Sequence, residues 1–514
     1  MKRKLVNIAL ILVMLIMNFN ILTSCDRSTD SSDDKFMEAI NLDPAVLTFY
    51  LIGQEKKDTK EVLSKIAEST DLNITLNFKW FNYGRYFDSV KTAIASNEEF
   101  DLFLCGKPEV NGINIVELFR NGQVKDITGL LPKYAPVIFD ELSREVLEAV
   151  KVDGKIVFLP SLAHFSSSVL GVNIKEDIVD KYNISSINTF DDYEILLKNI
   201  NEKEKDVISG FIAGGPKYSI NYFANAYGYV VLDYARYLVY KWDDPEMKIV
   251  QWEQTPEFKE TIELIRRWYM LDYMEDVTDQ KEIASFLGMA GRSEEGVAEI
   301  DFFNNGNKDI YHFYILYKNM RKQRENPLNS SSIGSIAFNA NSVNTERSLM
   351  FLNWIQSSQE NYDLFNYGIK DRHYILKDDQ IDVPKGMKID ENPYWWHKLK
   401  NEFYNLAFMN INFSRSTVND TPQDSFPNDQ KEVFTANAQY APHEGFYPDY
   451  KNVQNESSMR MQLYQDKILN AIQNNTYDTK DTDKIINALN QAGTERIVQE
   501  IQEQLDNWRS KNKK

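Results

Sequence analysis

Cysteine is nearly absent from this 514-residue chain: Cys25 and Cys105 are the only two. Two thiols cannot build a disulfide framework or a cysteine-rich zinc site. Cys105 follows Phe103-Leu104 and reads as an ordinary buried thiol. Histidine is almost as scarce. His164, His312, His373, His397 and His443 stand singly with no HExxH-type spacing, so neither a metal site nor a cofactor is expected. Positive charge is in deficit, 58 Lys and Arg against 76 Asp and Glu, for a net charge of −18. Such a chain repels phosphate backbones and anionic headgroups, which argues against a nucleic-acid partner. Gly214-Gly215-Pro216-Lys217 lacks phosphate-loop spacing and reads as a turn. No Ser/His/Asp motif of known spacing and no internal repeat is present. Adjacent acids such as Asp191-Asp192 and Asp243-Asp244 read as helix capping and turn solvation. The acid–base pairs of glycoside hydrolysis must instead face each other across a sugar.

What is present begins with an oily leader. Lys2-Arg3-Lys4 precedes a mostly apolar stretch over residues 5–22, the build of a secretory signal. A retained membrane anchor is the rival reading, because about 20 apolar residues span a bilayer. Leu22-Thr23-Ser24-Cys25 resembles the bacterial lipobox. That resemblance implies removal of residues 1–24, diacylation of Cys25, and a chain anchored in the cell membrane facing outside. Two acyl chains hold far better than one. Residues 25–42, acidic and serine-rich at first, read as a flexible tether.

The body opens on alternating strands and helices. Val46-Leu47-Thr48-Phe49-Tyr50-Leu51-Ile52 is a β-rich, nearly continuous apolar run, as in a strand buried on both faces, and Gly53 ends it. Asp58 with Glu61 predicts a capping box that opens a helix burying Val62, Leu63, Ile66 and Ala67. Leu72, Ile74, Leu76, Phe78 and Trp80 alternate with polar residues at period two. Tyr83, Tyr86, Phe87, Val90 and Ile94 recur at helical spacing, and residues 100–104 form a third strand before Gly106 and Pro108. This order predicts a parallel sheet flanked by helices. Ligands of such sheets sit beyond the carboxyl ends of the strands.

Further on, Asp153-Gly154 predicts a tight hairpin. The serine-rich residues 161–168 read as a crossing between domains. Two strands around the Asp243-Asp244-Pro245-Glu246 turn predict a second hairpin, and Thr255-Pro256 supplies N-cap and N1 of a helix. Residues 333–338 read as a strand returning to the first domain, with a helix over 349–355. The tail carries helical patterns over 459–472 and 485–508, broken at Gly493.

Several segments are similar to ABC-transporter extracellular solute-binding lipoproteins. They are the lipobox, Leu51-Ile52-Gly53, the run Ala93-Ile94-Ala95-Ser96-Asn97-Glu98-Glu99-Phe100-Asp101-Leu102, Lys151-Val152-Asp153-Gly154-Lys155-Ile156, and Trp242-Asp243-Asp244-Pro245-Glu246. The stretch from Tyr362 to Tyr374, with Ala492-Gly493 and residues 502–508, resembles the LipO-like subgroup, which carries an extra C-terminal domain. Tyr394-Trp395-Trp396-His397 departs from the usual Trp, small residue, Gly pattern. The resemblance implies an α/β, two-lobed periplasmic-binding-protein-like fold of type II. Each lobe is then a mostly parallel sheet flanked by helices, with crossing strands between the lobes and a helical C-terminal region. Lobe 1 is expected over residues 43–160 and 335–390, and lobe 2 over 161–334 and 391–514. The lobes close on a ligand like a hinged trap. Family ligands are mostly sugars and oligosaccharides, delivered to an ABC permease by a monomeric receptor without catalysis.

Sugar recognition needs flat aromatic faces for stacking and amides or carboxylates for hydroxyls. Trp80 and Tyr83 follow a strand's carboxyl end, and Gly106 ends another; the alternative for Trp80 is that it continues the apolar face of its strand. His164 and Phe165 lie in the crossing. Tyr222, Asn225 and Tyr227 form an aromatic and amide cluster, or equally one core face of a helix. Of Trp395 and Trp396 only one reaches a ligand, since adjacent side chains diverge, and Trp395 is taken. A surface glycan hydrolase and a ligand-sensing co-receptor are the alternative functions.

Overall fold

The computed structural model describes residues 42–106, 113–162, 167–213, 215–275, 281–290, 296–300, 309–317, 322–324, 334–378, 380–388, 391–394, 406–410, 412–415, 438–474 and 476–512. The chain divides into two units, Met1–Pro44 and Ala45–Lys514. In the first only residues 42–44 are described. Every element below belongs to the second.

The first run is β1 (Ala45–Ile52), α1 (Thr59–Glu68), β2 (Ile74–Phe81), α2 (Tyr83–Ala95) and β3 (Leu102–Cys105). After it come α3 (Ile115–Arg120), α4 (Arg144–Ala149), β4 (Lys151–Val152), β5 (Lys155–Ile156) and β6 (Leu159–Pro160). β1 pairs in parallel with β2, from Ala45↔Ile74 to Ile52↔Phe81, and with β3 at Phe49↔Leu102. Phe49, Leu51, Ile52 and all of β3 are buried, as the apolar runs require. The β4–β5 hairpin turns at Asp153 (φ 51°) and Gly154 (φ 79°), both left-handed as a type I′ turn demands.

The chain then builds a second layer. Its elements are β7 (Ser167–Lys175), α5 (Phe190–Lys203), β8 (Val207–Ile208), α6 (Pro216–Ala226), β9 (Tyr229–Asp233), β10 (Leu238–Lys241), β11 (Val250–Gln251) and α7 (Pro256–Met270). β12 (Glu282–Ile283), β13 (Ser285–Ala290), β14 (Gly296–Ile300), β15 (Asp309–Ile315) and β16 (Lys322–Arg324) follow. Thr255 caps α7 through the Phe258 amide at 3.2 Å, with Pro256 at N1. One member of each acidic pair is used locally. Asp192 accepts the amides of Asn188 and Thr189 in a capping box, and Asp244 those of Glu246 and Lys248 in the turn.

β17 (Ser335–Phe338) returns to the first sheet, completing the order β2-β1-β3-β17-β6. It is followed by α8 (Thr345–Ile355) and α9 (Gln359–Tyr367). Helices cover both faces of this sheet. Phe49 meets Phe351 of α8 at 5.8 Å, while Tyr86 of α2 meets Phe81 on the opposite face at 6.2 Å.

The C-terminal region comprises β18 (Ala438–Tyr440), α10 (Gln454–Tyr464), a π turn (Gln465–Leu469), α11 (Asn470–Gln473), α12 (Thr482–Gln491) and α13 (Thr494–Asn512). Gly493, at φ 111°, marks the break between α12 and α13. These helices complete the second lobe's core. Tyr464, Ile468, Leu469, Ile472 and Leu489 pack with Trp252, Ile265 and Val239, and Ile497, Ile501 and Leu505 pack with Leu238, Tyr240 and Ile249.

Three expectations are corrected. Asp58 makes no capping bond to α1, because Arg372 and His373 draw its carboxylate away. The second sheet is largely antiparallel: β13 and β15 both run against β7, and β14 against β15. β14 and β15 are joined by eight residues, too few for the crossover of a dozen or more that parallel neighbours need. Finally, residues 391–394, 406–410 and 412–415, assigned by sequence to the second lobe, bond to the first. Asn392 donates to the His373 carbonyl at 2.7 Å, Gln356 to that of Phe408 at 3.0 Å, and Arg415 pairs with Asp363 at 3.1 Å.

Candidate functional site: the edge between the lobes

Three strands of the first sheet end at one edge. Gly53, at φ 127°, closes β1 and donates its amide to the Phe81 carbonyl at 2.7 Å. At the end of β2, Trp80 is half-buried, on the same face as Phe78 with ring centroids 6.0 Å apart. It therefore extends the apolar row and still presents part of its ring. Asn82 caps α2 by accepting the Arg85 amide at 3.1 Å. This places Tyr83 on the first turn, 40% exposed, with its ring edge-on to Phe87. Gly106 follows β3 and is buried. Trp80, Tyr83 and Gly106 are thus brought to one sheet edge.

The same edge carries a polar clamp that sequence reasoning missed. Asp58 Oδ2 accepts from Arg372 at 2.8 Å and faces His373 Nε2 at 3.2 Å, and Arg372 also pairs with Glu61. The Ile369 amide donates to His373 Nδ1 at 2.8 Å, so the ring proton sits on Nε2 and points at Asp58. Burial of His373 pushes its pKa down, with Asp58 opposing. Burial pushes Asp58 up, but the bonds from Arg372 and His373 outweigh it and leave the carboxyl below its usual range. With both imidazole nitrogens engaged, His373 has no nitrogen to offer as a general base. The clamp is scaffolding. It positions residues 392–394: Asp58 donates its amide to the Pro393 carbonyl at 3.0 Å, and buried Tyr394 donates to that of Phe365 at 2.6 Å. Gly368, at φ 85°, lets His373 and Tyr394 close in, since a Cβ there would lie 2.7 Å from each ring. Sequence shows Asp371-Arg372-His373 as a motif, but not that its partner lies 314 residues away.

On the second lobe, Tyr222 and Asn225 lie on α6 and Tyr227 caps its end. Tyr227 packs against Phe190, Trp252 and Tyr317, 6.1–6.4 Å away, and burial pushes its hydroxyl up to about 12. It takes the core-face alternative. Asn225 is 7% exposed, and neither of its amide atoms has a hydrogen-bond partner among the described residues. His164, Phe165 and Trp395 lie outside the described residues, as does Cys25. Cys105 is buried, and burial pushes its thiol far above the ordinary range, as expected of an inert cysteine.

Three chain passages join the lobes, between residues 162 and 167, 324 and 334, and 415 and 438. Their described ends are hydrogen-bonded on both sides. On the first lobe, Ser161 donates to Gly334 at 2.9 Å, Ser335 pairs with Pro160, and Leu162 bridges to Asn410. On the second, β16 pairs with the start of β7 at Gln323↔Ser168 and Arg324↔Ser167, and with β18 from Lys322↔Ala438 to Arg324↔Tyr440. The lobe boundaries expected from the sequence set the crossings at 160/161, 334/335 and 390/391. Among the described residues no cluster of three His, Cys, Asp or Glu side chains is placed to hold a metal, and no helix is long and apolar enough to cross a membrane.

Residues 442–510 match a family model described as a domain of unknown function, DUF3502. No curated protein matches the sequence. Among solved structures, the chain is similar to the N-glycan transport solute binding protein NgtS of Streptococcus pneumoniae. The identity is 21% and the TM-score 0.70, over 91% of this chain and 100% of that one. With NgtS in complex with Man1GlcNAc the values are 20% and 0.59, over 90% and 99%. The S. pneumoniae ABC-transporter substrate binding protein FusA, an EF-hand mutant in complex with fructo-nystose, matches at 15% and 0.57, over 91% and 100%. The fold is that of ABC-transporter solute-binding proteins.

Proposed function

We propose that this chain is a lipid-anchored extracellular solute-binding protein of an ABC importer. It captures an oligosaccharide-like solute between its lobes and delivers it to a membrane permease. The observation that carries the reading is the hinge, in which three passages paired at both ends join two separate sheets beside the edge that presents Trp80 and Tyr83. A ligand that touches both lobes favours their approach by differential contact. The glycan and fructan ligands named for the similar structures support the solute class. Trp80 and Tyr83 supply stacking faces from the first lobe and Asn225 an amide from the second. Gly106, His164, Phe165, Tyr222 and Trp395 complete the proposed lining. Tyr227 serves the core behind it. Cys25 carries the lipid, and residues 25–42 are the tether. No catalysis is proposed; Asp192 and Asp244 serve a helix cap and a turn.

The test is a thermal-shift panel of mannose-, N-acetylglucosamine- and fructose-containing oligosaccharides. At least one ligand is expected to raise the melting temperature, and Trp80→Ala to abolish the rise. A flat response across the panel sinks the sugar assignment, and turnover of a labelled oligosaccharide sinks the non-enzymatic reading. In cells, a clickable fatty acid is expected to label the protein and not Cys25→Ala.

A further inference from the structure

Residues 441–450, where the DUF3502 match begins, directly follow the third passage and touch both lobes. On the second lobe the turn is embedded. Phe446 is buried in the core with Tyr240 and Leu505, its ring 5.9 Å from Trp508. His443 Nδ1 lies 2.8 Å from the Tyr240 hydroxyl. The main chain of Asp449 is held from both sides by Gln504, at 2.8 and 2.7 Å. Tyr450 donates to Asp233 at 2.7 Å beneath the Arg236 guanidinium, 3.8 Å from its ring.

The other side of the same turn grips the first lobe. The Tyr447 hydroxyl donates to the Ala149 carbonyl at 2.8 Å. Arg120 donates to the carbonyls of Tyr447 at 2.9 Å and Pro448 at 3.4 Å. Asp153 aims that guanidinium with two bonds of 3.0 Å, the bidentate geometry that fixes an arginine in direction as well as place. The approach is close enough to require glycine. Gly445 has φ 87°, and a Cβ there would stand 2.8 Å from the Glu148 carbonyl oxygen.

We propose that this turn is a latch between the lobes. It is rigid on the second lobe, bonded to the first through Arg120 and Ala149, and it restrains the hinge. The proposal rests on the reading of the chain as a two-lobed receptor whose lobes move. Lobe motion about the three passages displaces the first lobe against a turn that cannot follow it, so these bonds must break. A restraint of this kind acts by holding one of two arrangements at a higher population. It also assigns a mechanical role to the start of the C-terminal domain, whose helices otherwise only fill the second lobe's core.

The test reads the hinge without any solute. The full chain carrying Cys25→Ala is spin-labelled at Lys91→Cys on α2 and Lys198→Cys on α5, both exposed, while buried Cys105 stays unlabelled. Interlobe distances are measured by double electron–electron resonance. Tyr447→Phe and Arg120→Gln are each expected to raise the share of molecules outside the parent's main distance about tenfold, the effect of losing one or two hydrogen bonds of ordinary strength. Gly445→Val, which wedges the contact apart, is expected to do the same. Distributions that overlay the parent's in all three variants overturn the latch. Tyr447→Phe removes one oxygen and keeps the ring, so loss of fold does not confound it. A loosened hinge in a protein that binds no oligosaccharide keeps the latch and sinks the transport reading; solute binding with an unchanged hinge does the reverse.

Discussion

His443 shows what burial does to a single titratable side chain here. Its ring is 6% exposed, and burial drives its pKa from 6.5 down to about 3. The unfolded chain keeps the ordinary value, so between about pH 6.5 and 3 the unfolded state binds a proton that the folded state refuses. Stability therefore falls as pH falls through that window, by an amount of order 5 kcal/mol if the whole of it is traversed. His443→Gln keeps a hydrogen-bonding group for Tyr240 and removes the titration. The parent is expected to melt higher at pH 7, with the gap to the variant narrowing or reversing by about pH 4.5. Melting curves that stay parallel across that range would refute this. Asp58 and Glu194, both held below the usual carboxylate range, act with the same sign and are common to both proteins. At this scale the sequence was readable where chemistry was local. Cys105 after an apolar pair and Thr255-Pro256 at a helix start are examples. Asp58 was misread because its nearest acidic neighbour, Glu61, suggested a cap, while its true partners lie in a segment hundreds of residues on.

Elements formed where periodicity and turn chemistry agreed, as in β1, β2 and the Asp153-Gly154 hairpin. What they dock against had no local signature. Where α10 and α13 dock on the second lobe, they enclose one buried ion pair. Arg460 and Glu253 are each 1% exposed and bonded to one another, with Arg460 also on Thr494 Oγ1 at 3.1 Å and facing the Arg236 carbonyl at 3.4 Å. Removing one member of such a pair strands the other charge in the core, at a cost of about 3–5 kcal/mol, whereas removing both is far milder. Arg460→Met is expected to lose that amount in denaturant unfolding, and adding Glu253→Gln to recover most of it. A double variant as unstable as the sum of the singles would show that the pair is not coupled. The antiparallel course of the second sheet was also missed. Its strands have the same apolar character as parallel ones, and the pairings of β13 and β15 with β7 join segments more than a hundred residues apart.

At the scale of the whole molecule, the sequence reading placed residues 391–514 with lobe 2 as its C-terminal extension, and the helices of the C-terminal region pack into that lobe's core. Phe446, Val453, Tyr464, Ile468, Leu469, Ile472, Leu489, Ile497, Ile501 and Leu505 are all buried, and they share cores with β9, β10 and α7. A fully buried large apolar side chain contributes roughly 1.5–3 kcal/mol, while a domain's net stability is about 5–15 kcal/mol. Removing the segment also strips the cover from Trp252, Ile265, Val239, Leu238 and Tyr240 of the lobe's own core, leaving them facing water. The second lobe should therefore not fold without its C-terminal helices. A chain ending at Tyr440 is expected to lose the second lobe's cooperative transition and to expose residues 167–300 to limited proteolysis. The first lobe's sheet, which takes nothing from residues beyond 415, should remain protected. A truncated chain that melts and resists protease like the parent would show the C-terminal region to be a separable module. The hinge would then have to be attributed to the three passages alone.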